Sequence, residues 1–188
     1  MKLILLSTLF LLTACSMQAQ RHSVQVEIAP QQFVTLPSPA QLQQRINVSQ
    51  LISAQWGDKK QQKLLVQLQV DEKQVVLAGF SAWGMKLLSL NYSGEEIQTE
   101  VLAGLAESLP KPEQVLFNVM LSIWPVEAWQ LPLQKIGWKL QENGLQRLLL
   151  DEQDRLVVII DYQKKPYLDG KITFQHQTLH YTVIIETN

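Results

Sequence analysis

Short apolar runs separated by turn signals restrict the fold of this chain more than any other feature. In residues 64–70 the apolar side chains recur at every second position, which is typical of a half-buried strand. Asp71-Glu72 ends this run, and Ser93-Gly94 ends a later one. Such runs, joined by tight turns, predict neighbouring antiparallel strands and therefore a meander.

The second half of the chain repeats this pattern. Asn143-Gly144 is the strongest short hairpin signal in the sequence. Residues 156–160 are apolar at every position, so we expect this strand to be covered on both faces. Further runs fall at residues 145–150, 172–174 and 179–185. Together the runs predict a mainly β domain of about ten strands.

One helical insert interrupts the β pattern. Pro110-Lys111-Pro112 places a proline where the first turn of a helix accepts one, and Pro125 ends the segment. A helix this apolar has to lie on a sheet, so we expect it to cover the concave face in an α+β arrangement. The apolar stripe at helical spacing consists of Val115, Leu116, Val119, Met120 and Ile123.

The first fifteen residues predict export. The apolar run that follows Lys2 is shorter than the roughly 20 residues needed to span a bilayer, which favours a secretion signal. Leu12-Thr13-Ala14-Cys15 resembles the lipobox of bacterial lipoproteins, which implies a signal peptide over residues 1–14 and a diacylglyceryl group on Cys15. The alternative is an unmodified thiol after an ordinary signal peptide.

The residues after Cys15 predict where the protein resides and how it is tethered. Ser16 stands where an aspartate favours inner-membrane retention in enteric lipoproteins, so the resemblance implies an outer-membrane anchor facing the periplasm of a Gram-negative bacterium. Residues 15–40 are rich in Gln, Pro and Ser and are expected to form a tether, which leaves 41–188 as the domain. Within this tether, residues 24–28 alternate, and either an edge strand or a disordered spacer fits them.

Charge and motif content argue against several function classes. A formal net charge of -1 gives no field that would gather nucleic acid, and a single Cys excludes an intrachain disulfide. His176 and His180 are four residues apart in a strand-turn-strand pattern, where this spacing does not bring both rings to one face. We therefore predict no metal, no cofactor and no catalytic residue, and we expect a binding protein rather than an enzyme.

The turn Ser81-Ala82-Trp83-Gly84 carries an aromatic residue where turns usually present polar ones. Taken alone, this pattern allows two readings. Either Trp83 folds back onto the sheet as part of the core, or it projects as an apolar tip that requires a functional reason.

The lipobox, the tether, the meander, the Leu109-Pro110-Lys111-Pro112 insert and the later hairpins together resemble the LolB family of outer-membrane lipoproteins, and in particular an uncharacterised group of LolB-like lipoproteins. The resemblance implies a half-open antiparallel β-barrel with lid helices over a concave cavity that takes acyl chains. It also implies an acceptor or carrier for a lipoprotein or a lipid-linked product. A LolA-like periplasmic carrier would hand over this cargo, and we expect a monomer.

The same resemblance suggests site residues. Trp83-Gly84 matches the tip of the loop with which LolB engages the membrane, which implies an exposed, membrane-inserting Trp83. The rival interpretation is a structural or assembly lipoprotein of an envelope complex, with its interior packed solid. The expected lining of the acyl cavity is Leu64, Leu116, Val119, Met120, Ile123, Trp124 and Ile159.

Overall fold

The computed structural model describes residues 17–22, 24–57, 61–105 and 109–187. This part of the chain contains thirteen strands and two α-helices, together with short 3-10 turns at Pro39–Leu42 and Tyr167–Asp169. The strands and helices in chain order are β1 (Met17–His22), β2 (Gln25–Ala29), β3 (Gln32–Thr35), β4 (Ile46–Trp56), β5 (Gln62–Val70), β6 (Val75–Phe80), β7 (Lys86–Tyr92), β8 (Ile97–Leu102), α1 (Pro112–Ile123), α2 (Val126–Gln134), β9 (Lys139–Asn143), β10 (Gln146–Leu150), β11 (Leu156–Tyr162), β12 (Ile172–His176) and β13 (Tyr181–Thr187).

Eleven of these strands form one antiparallel sheet in the order β1-β8-β7-β6-β5-β4-β13-β12-β11-β10-β9. Two meanders, β4 to β8 and β9 to β13, join where β4 pairs with β13, with Ile52 opposite Ile185. β1 and β9 are the two edges of this sheet, so it stays open. The prediction of a half-open antiparallel sheet of about ten strands with a helical insert is confirmed.

Helix α1 lies against the concave face of the sheet and is almost entirely buried. It begins at Pro112, as predicted, because a proline at the first helical position loses no intrahelical hydrogen bond. It ends at Ile123, and the next residue, Trp124, has an extended backbone with φ −68° and ψ 147°. The following Pro125 explains this ending, because a proline disfavours helical geometry in the residue before it.

Helix α2 was not predicted from the sequence. It contains Pro132, a residue that normally argues against a helix, yet only its last two residues lie beyond that position. Its buried side chains include Trp129, whose ring meets Phe117 of α1 edge-on at 5.8 Å. Packing against α1 therefore outweighs the poor local propensity.

The prediction of a tether over residues 15–40 is wrong for residues 25–36, which fold onto the domain. β2 and β3 form a separate two-stranded hairpin, and the ring of His176 on β12 bonds to the carbonyl of Ile28 at 2.7 Å. The pattern at residues 24–28 thus marks a strand of the folded domain. The buried apolar side chains of this segment are Val26, Ile28, Ala29, Val34 and Leu36.

Candidate functional site

An apolar cavity lies between α1 and the concave face of the sheet, at the end where β4 finishes and β5 begins. Alternate residues of β4 and β13 face it, because positions two apart in a strand share a face. The N-terminal half of α1 and the segment before it form the other wall. The lining residues are Ile52, Ala54, Trp56, Gln62, Lys63, Leu64, Leu87, Leu109, Pro110, Gln114, Val115, Asn118, Val119, Tyr181, Val183 and Ile185.

The cavity is small in this conformation. Its volume is about 80 Å³, whereas pockets for organic ligands typically measure roughly 300–1,000 Å³. Further along the interface between helix and sheet, Leu116, Met120 and Trp124 are fully buried and fill the interior. A long hydrocarbon chain would therefore enter only if the N-terminal half of α1 moved away from the sheet.

A polar bridge joins α1 to the sheet at the edge of this cavity. The Tyr181 hydroxyl donates a hydrogen bond to Asn118 Oδ1 at 2.9 Å, and Gln114 Nε2 donates to the Tyr181 oxygen at 3.1 Å. Burial raises the pKa of Tyr181 above its ordinary value, so the phenol stays neutral and can donate. Hydrogen bonds between neutral groups contribute only about 1 kcal/mol each, so this attachment is weak enough to open.

The opposite end of α1 is held more strongly. Arg147 Nη1 donates to the carbonyls of Leu121 and Trp124 at 2.9 and 2.8 Å, and the Tyr162 hydroxyl donates to the carbonyl of Ser122 at 2.7 Å. These bonds satisfy the last carbonyls of the helix, where a positive charge is also favourable. The C-terminal end of α1 is thus fixed by charged, buried contacts, while its N-terminal half lies over a void.

The turn between β6 and β7 presents apolar side chains to solvent. The Trp83 side chain is 95% exposed and that of Met85 is 54% exposed. Ser81 orders the turn, because its Oγ accepts the backbone N–H groups of Trp83 and Met85 at 3.3 and 3.2 Å. Gly84 has φ +78°, which a residue with a side chain rarely adopts. The turn therefore holds a large apolar residue outward in a defined geometry.

This turn and the cavity lie at the same end of the sheet. Phe80, the last residue before the turn, pairs with Leu65 of β5 and with Lys86 of β7. The next residues along those two strands, Leu64 and Leu87, line the cavity. An apolar tip and an apolar void thus occur side by side.

Residues 47–188 match the sequence family described as "Protein of unknown function (DUF3261)". The chain belongs to this family. The matched region starts in β4 and includes both helices, the β6–β7 turn and the cavity. In this DUF3261 protein, β1 and the hairpin of β2 and β3 precede the matched region.

A comparison with solved structures finds a likeness to the crystal structure of the LolA superfamily protein NE2245 from Nitrosomonas europaea. The two chains are 8% identical, the match covers 78% of this chain and 84% of that chain, and the TM-score is 0.45. The comparison with curated proteins found no match.

The DUF3261 fold brings only part of the expected acyl lining to the cavity. Of the expected residues, Leu64 and Val119 line it. Leu116, Met120 and Trp124 are instead fully buried in the adjoining core and do not line this cavity. The sequence placed the correct helix over the sheet but could not say which of its turns would leave a gap.

Two of the expected lining residues lie elsewhere. Ile123 faces a separate groove beyond the C-terminal end of α1. Ile159 is half-buried, whereas its neighbours Val158 and Ile160 are fully buried. Tyr162, two residues after Ile160, bonds to α1, so the even-numbered positions of β11 face the helix and Ile159 lies on the outer face of the sheet.

The other predicted site residues are Trp83, Gly84 and Cys15. Trp83 and Gly84 form the exposed tip, and Cys15 lies outside the described residues. No helix in the described part of the chain is long and apolar enough to cross a membrane. Within the same residues, no group of three or more His, Cys, Asp and Glu side chains could hold a metal ion.

His176 has a structural place rather than a place in the cavity. Its Nδ1 accepts the backbone N–H of Leu179 at 3.2 Å, so its Nε2 carries the proton and donates to the carbonyl of Ile28. Burial lowers the pKa of His176 to about 4. The neutral ring therefore fastens the β2–β3 hairpin to the main sheet.

Proposed function

We propose that this protein binds the acyl chain of a lipid or a lipidated protein beneath α1 and exchanges it with a membrane at the Trp83 turn. The observation that carries this proposal is the position of the apolar cavity and of the exposed Trp83 at the same end of an open sheet. A transfer protein needs this arrangement, because hydrocarbon then passes from bilayer to cavity without crossing water.

The energies of chain binding and of helix opening are compatible with this mechanism. Each methylene moved from water into an apolar site gains about 0.8 kcal/mol, so ten of them gain roughly 8 kcal/mol. The polar bridge formed by Gln114, Asn118 and Tyr181 contributes about 2 kcal/mol at about 1 kcal/mol for each bond. The larger remaining cost is separating the apolar contacts of α1, and the entering chain replaces those contacts. Binding can therefore offset opening.

The unequal attachment of α1 sets the direction of movement. Arg147 and Tyr162 hold its C-terminal end, while the void lies under Val115 and Val119 near its N-terminal end. The helix thus opens at the end that is close to the Trp83 turn. An apolar ligand shifts this equilibrium because it contacts the open form and has no room in the closed one.

The anchoring and the partner in this proposal rest on the sequence. Cys15 carries the lipid that anchors the protein to the outer membrane of a Gram-negative bacterium, and the domain faces the periplasm. A LolA-like carrier delivers the cargo, which is a lipoprotein or a lipid-linked product. The supporting features are the Leu12-Thr13-Ala14-Cys15 pattern and an amphipathic Trp at the exposed tip, a residue type that suits the membrane interface.

Titration of the domain without residues 1–15 with a fluorescent fatty acid tests the binding step. Ala54→Leu fills the cavity, whereas the matched change Ala78→Leu adds the same atoms at a half-buried position of β6, beside the inward-facing Leu77 and Gly79. We expect saturable binding that Ala54→Leu weakens about tenfold or more, a loss of at least 1.4 kcal/mol, and that Ala78→Leu leaves unchanged. Equal affinities for the two variants would exclude this cavity as the site.

The small volume of the cavity favours one other candidate, a structural or assembly lipoprotein that takes no ligand. This candidate predicts no saturable binding of any fatty acid by the unmodified domain. The titration of the unmodified domain therefore separates the two functions.

A further inference from the structure

A second hollow lies at the opposite end of α1 from the acyl cavity. This groove runs between the link that joins the two helices and the segment of residues 165–169, and its volume is about 750 Å³. That volume lies within the range of roughly 300–1,000 Å³ that is usual for small-molecule sites. Its apolar wall is formed by Leu42, Ile123, Pro125, Val126 and Leu168.

A buried guanidinium forms the floor of the groove. The Arg147 side chain is only 2% exposed, and its Nε donates to Glu142 Oε2 at 2.7 Å. Its Nη1 uses both hydrogens on the carbonyls at the end of α1. An arginine has five N–H donors, so two remain on Nη2. Within the described residues these two donors have no acceptor, and Arg147 is one of the residues that line the groove.

The position of this guanidinium is fixed before any ligand arrives. Tyr167 lies 4.9 Å and Tyr162 lies 5.6 Å from its central carbon, and the two rings stack on each other at 4.0 Å. Glu142 Oε1 does not accept a hydrogen bond from Nη2. It accepts hydrogen bonds from Lys165 Nζ at 2.9 Å and from the Tyr167 hydroxyl instead. The free donors of Arg147 are therefore preorganised to meet an oxygen atom from outside the protein.

The charged groups of the groove fall into two sets. Arg147 is buried and Lys165 is exposed, and both lie around Glu142, so this set has one net positive charge. Glu127 and Asp169 also line the groove and are exposed to solvent at its rim. The first set thus favours an anion, while Glu127 and Asp169 favour a cation.

We propose that this groove binds a zwitterionic head group, with its phosphate oxygen on Arg147 Nη2 and Lys165 and its ammonium group beside Glu127 and Asp169. A simple anion would meet the two rim carboxylates without compensation. A simple cation would leave the donors of Arg147 unpaired, which is costly for a buried group. A phosphate ester of an amino alcohol pairs with both sets of charges. The apolar wall accommodates the carbon atoms that join its phosphate to its ammonium group.

Titration with soluble compounds tests this proposal and does not involve the acyl cavity. The probes are glycerophosphoethanolamine, inorganic phosphate and ethanolamine, followed through the Arg147 Nε–H resonance and by calorimetry. We expect glycerophosphoethanolamine to bind about tenfold more tightly than either single-charge compound, because its two contacts are made in one binding event. Equal affinities for glycerophosphoethanolamine and phosphate, or no saturable shift up to about 20 mM, would overturn the proposal.

Variants at the rim avoid the risk of unfolding that Arg147 carries as the cap of α1. Lys165→Gln is expected to weaken glycerophosphoethanolamine about fivefold through loss of a charged contact. The double variant Glu127→Gln with Asp169→Asn should weaken glycerophosphoethanolamine but not phosphate, which a purely structural role of these residues would not produce. Loss of both ligands in this double variant, or of neither, contradicts the assignment.

Vesicles distinguish the two sources of such a head group. Greater binding to vesicles that contain phosphatidylethanolamine than to phosphatidylglycerol alone, reduced by Lys165→Gln, supports a membrane lipid as the ligand. Equal vesicle binding together with tight binding of soluble glycerophosphoethanolamine supports a free phosphate ester. Stronger binding to phosphatidylglycerol vesicles would contradict the zwitterion.

Discussion

Tyr181 in the sheet donates a 2.9 Å hydrogen bond to Asn118 Oδ1 in the helix that covers it. The bond lies at the edge of the cavity, and the residues that it joins are 63 positions apart in sequence. It is one of the polar contacts that hold α1 to the sheet beside the cavity. Its strength therefore bears on how readily the cavity opens.

Removing the Tyr181 hydroxyl should loosen the lid. Tyr181→Phe keeps the ring that stacks on Phe174 and deletes both bonds of the hydroxyl, which together are worth about 2 kcal/mol of unfolding free energy. We expect a faster association rate for a fluorescent fatty acid, by about fivefold to thirtyfold, because the open helix becomes more populated. Stopped-flow fluorescence measures the rate, and urea unfolding measures the loss of stability.

Tyr162→Phe is the matched control for that variant. It deletes a similar buried bond to α1, but at the fixed C-terminal end of the helix. We expect a loss of about 1 kcal/mol of unfolding free energy and an unchanged association rate. Equal acceleration by the two variants would show that global loosening, rather than opening over the cavity, controls entry.

Trp83→Glu should reduce binding to lipid vesicles. The side chain is 95% exposed, so its replacement should leave the melting temperature unchanged while removing an aromatic anchor from the interface. Leu131→Glu makes the same change at another exposed apolar residue, 70% exposed on α2. Vesicle co-flotation should fall for the first variant only, and a similar fall for both would remove the Trp83 turn from the membrane contact.

The free energy of unfolding should fall on acidification, in the pH range between the folded and unfolded pKa values of His176. Its pKa is about 4 in the folded protein, below the ordinary 6.5, so between these values the unfolded chain binds more protons. The unfolding free energy is therefore fully present above about pH 6.5, declines towards pH 4 and loses about 3 kcal/mol at most. Urea unfolding at several pH values measures this decline.

His176→Gln is the variant that tests the assignment of this decline. Glutamine retains a donor and an acceptor near Ile28 and Leu179 but does not titrate in this window. We expect the pH dependence between 6.5 and 4 to flatten. An unchanged slope would assign the effect to another group.

Protonation of Glu142 should lower the free energy of unfolding at still lower pH. Burial opposes its ionisation, but hydrogen bonds from Tyr167, Lys165 and Arg147 outweigh this effect and lower the pKa of Glu142 to about 2. The carboxylate therefore stabilises the fold fully above about pH 4.5, and this contribution is lost as the pH falls through 2. Asp71 and Asp151, whose pKa values are also lowered by hydrogen bonds, contribute to the same decline. Glu142→Gln should therefore reduce the pH dependence below pH 4.5, as measured by urea unfolding, and an undiminished dependence would contradict a contribution from Glu142.

Local signals were sufficient for most of the sheet and for the first helix. The alternation in residues 64–70 and the Asn143-Gly144 turn each act over a few positions, so the sequence shows them directly. The exposure of Trp83 was not decided by its own neighbours, since a turn Trp can equally pack inward. The resemblance to a known family implied the outward position.

Tertiary packing decided the features that the sequence did not reveal. Pro132 and the Gln-rich surroundings of β2 argued locally against structure, and packing against α1 and β12 overcame them. Ile159 was expected inside because its strand is apolar on both faces, and periodicity carries no information about such a strand. The hydrogen bond from Tyr181 to Asn118 joins residues that are far apart in sequence, so no local sequence pattern predicts it.

Photo-crosslinking of a fatty acid most directly tests whether this protein carries hydrocarbon beneath α1. A diazirine placed near the end of the chain would be activated in the bound state, and the labelled residues would be mapped by mass spectrometry. The account predicts labels on Ile52, Val119 and Val183, which line the cavity. Labels on Ile159 and other residues of the outer face, or no labelling above that of the Ala54→Leu variant, would contradict it.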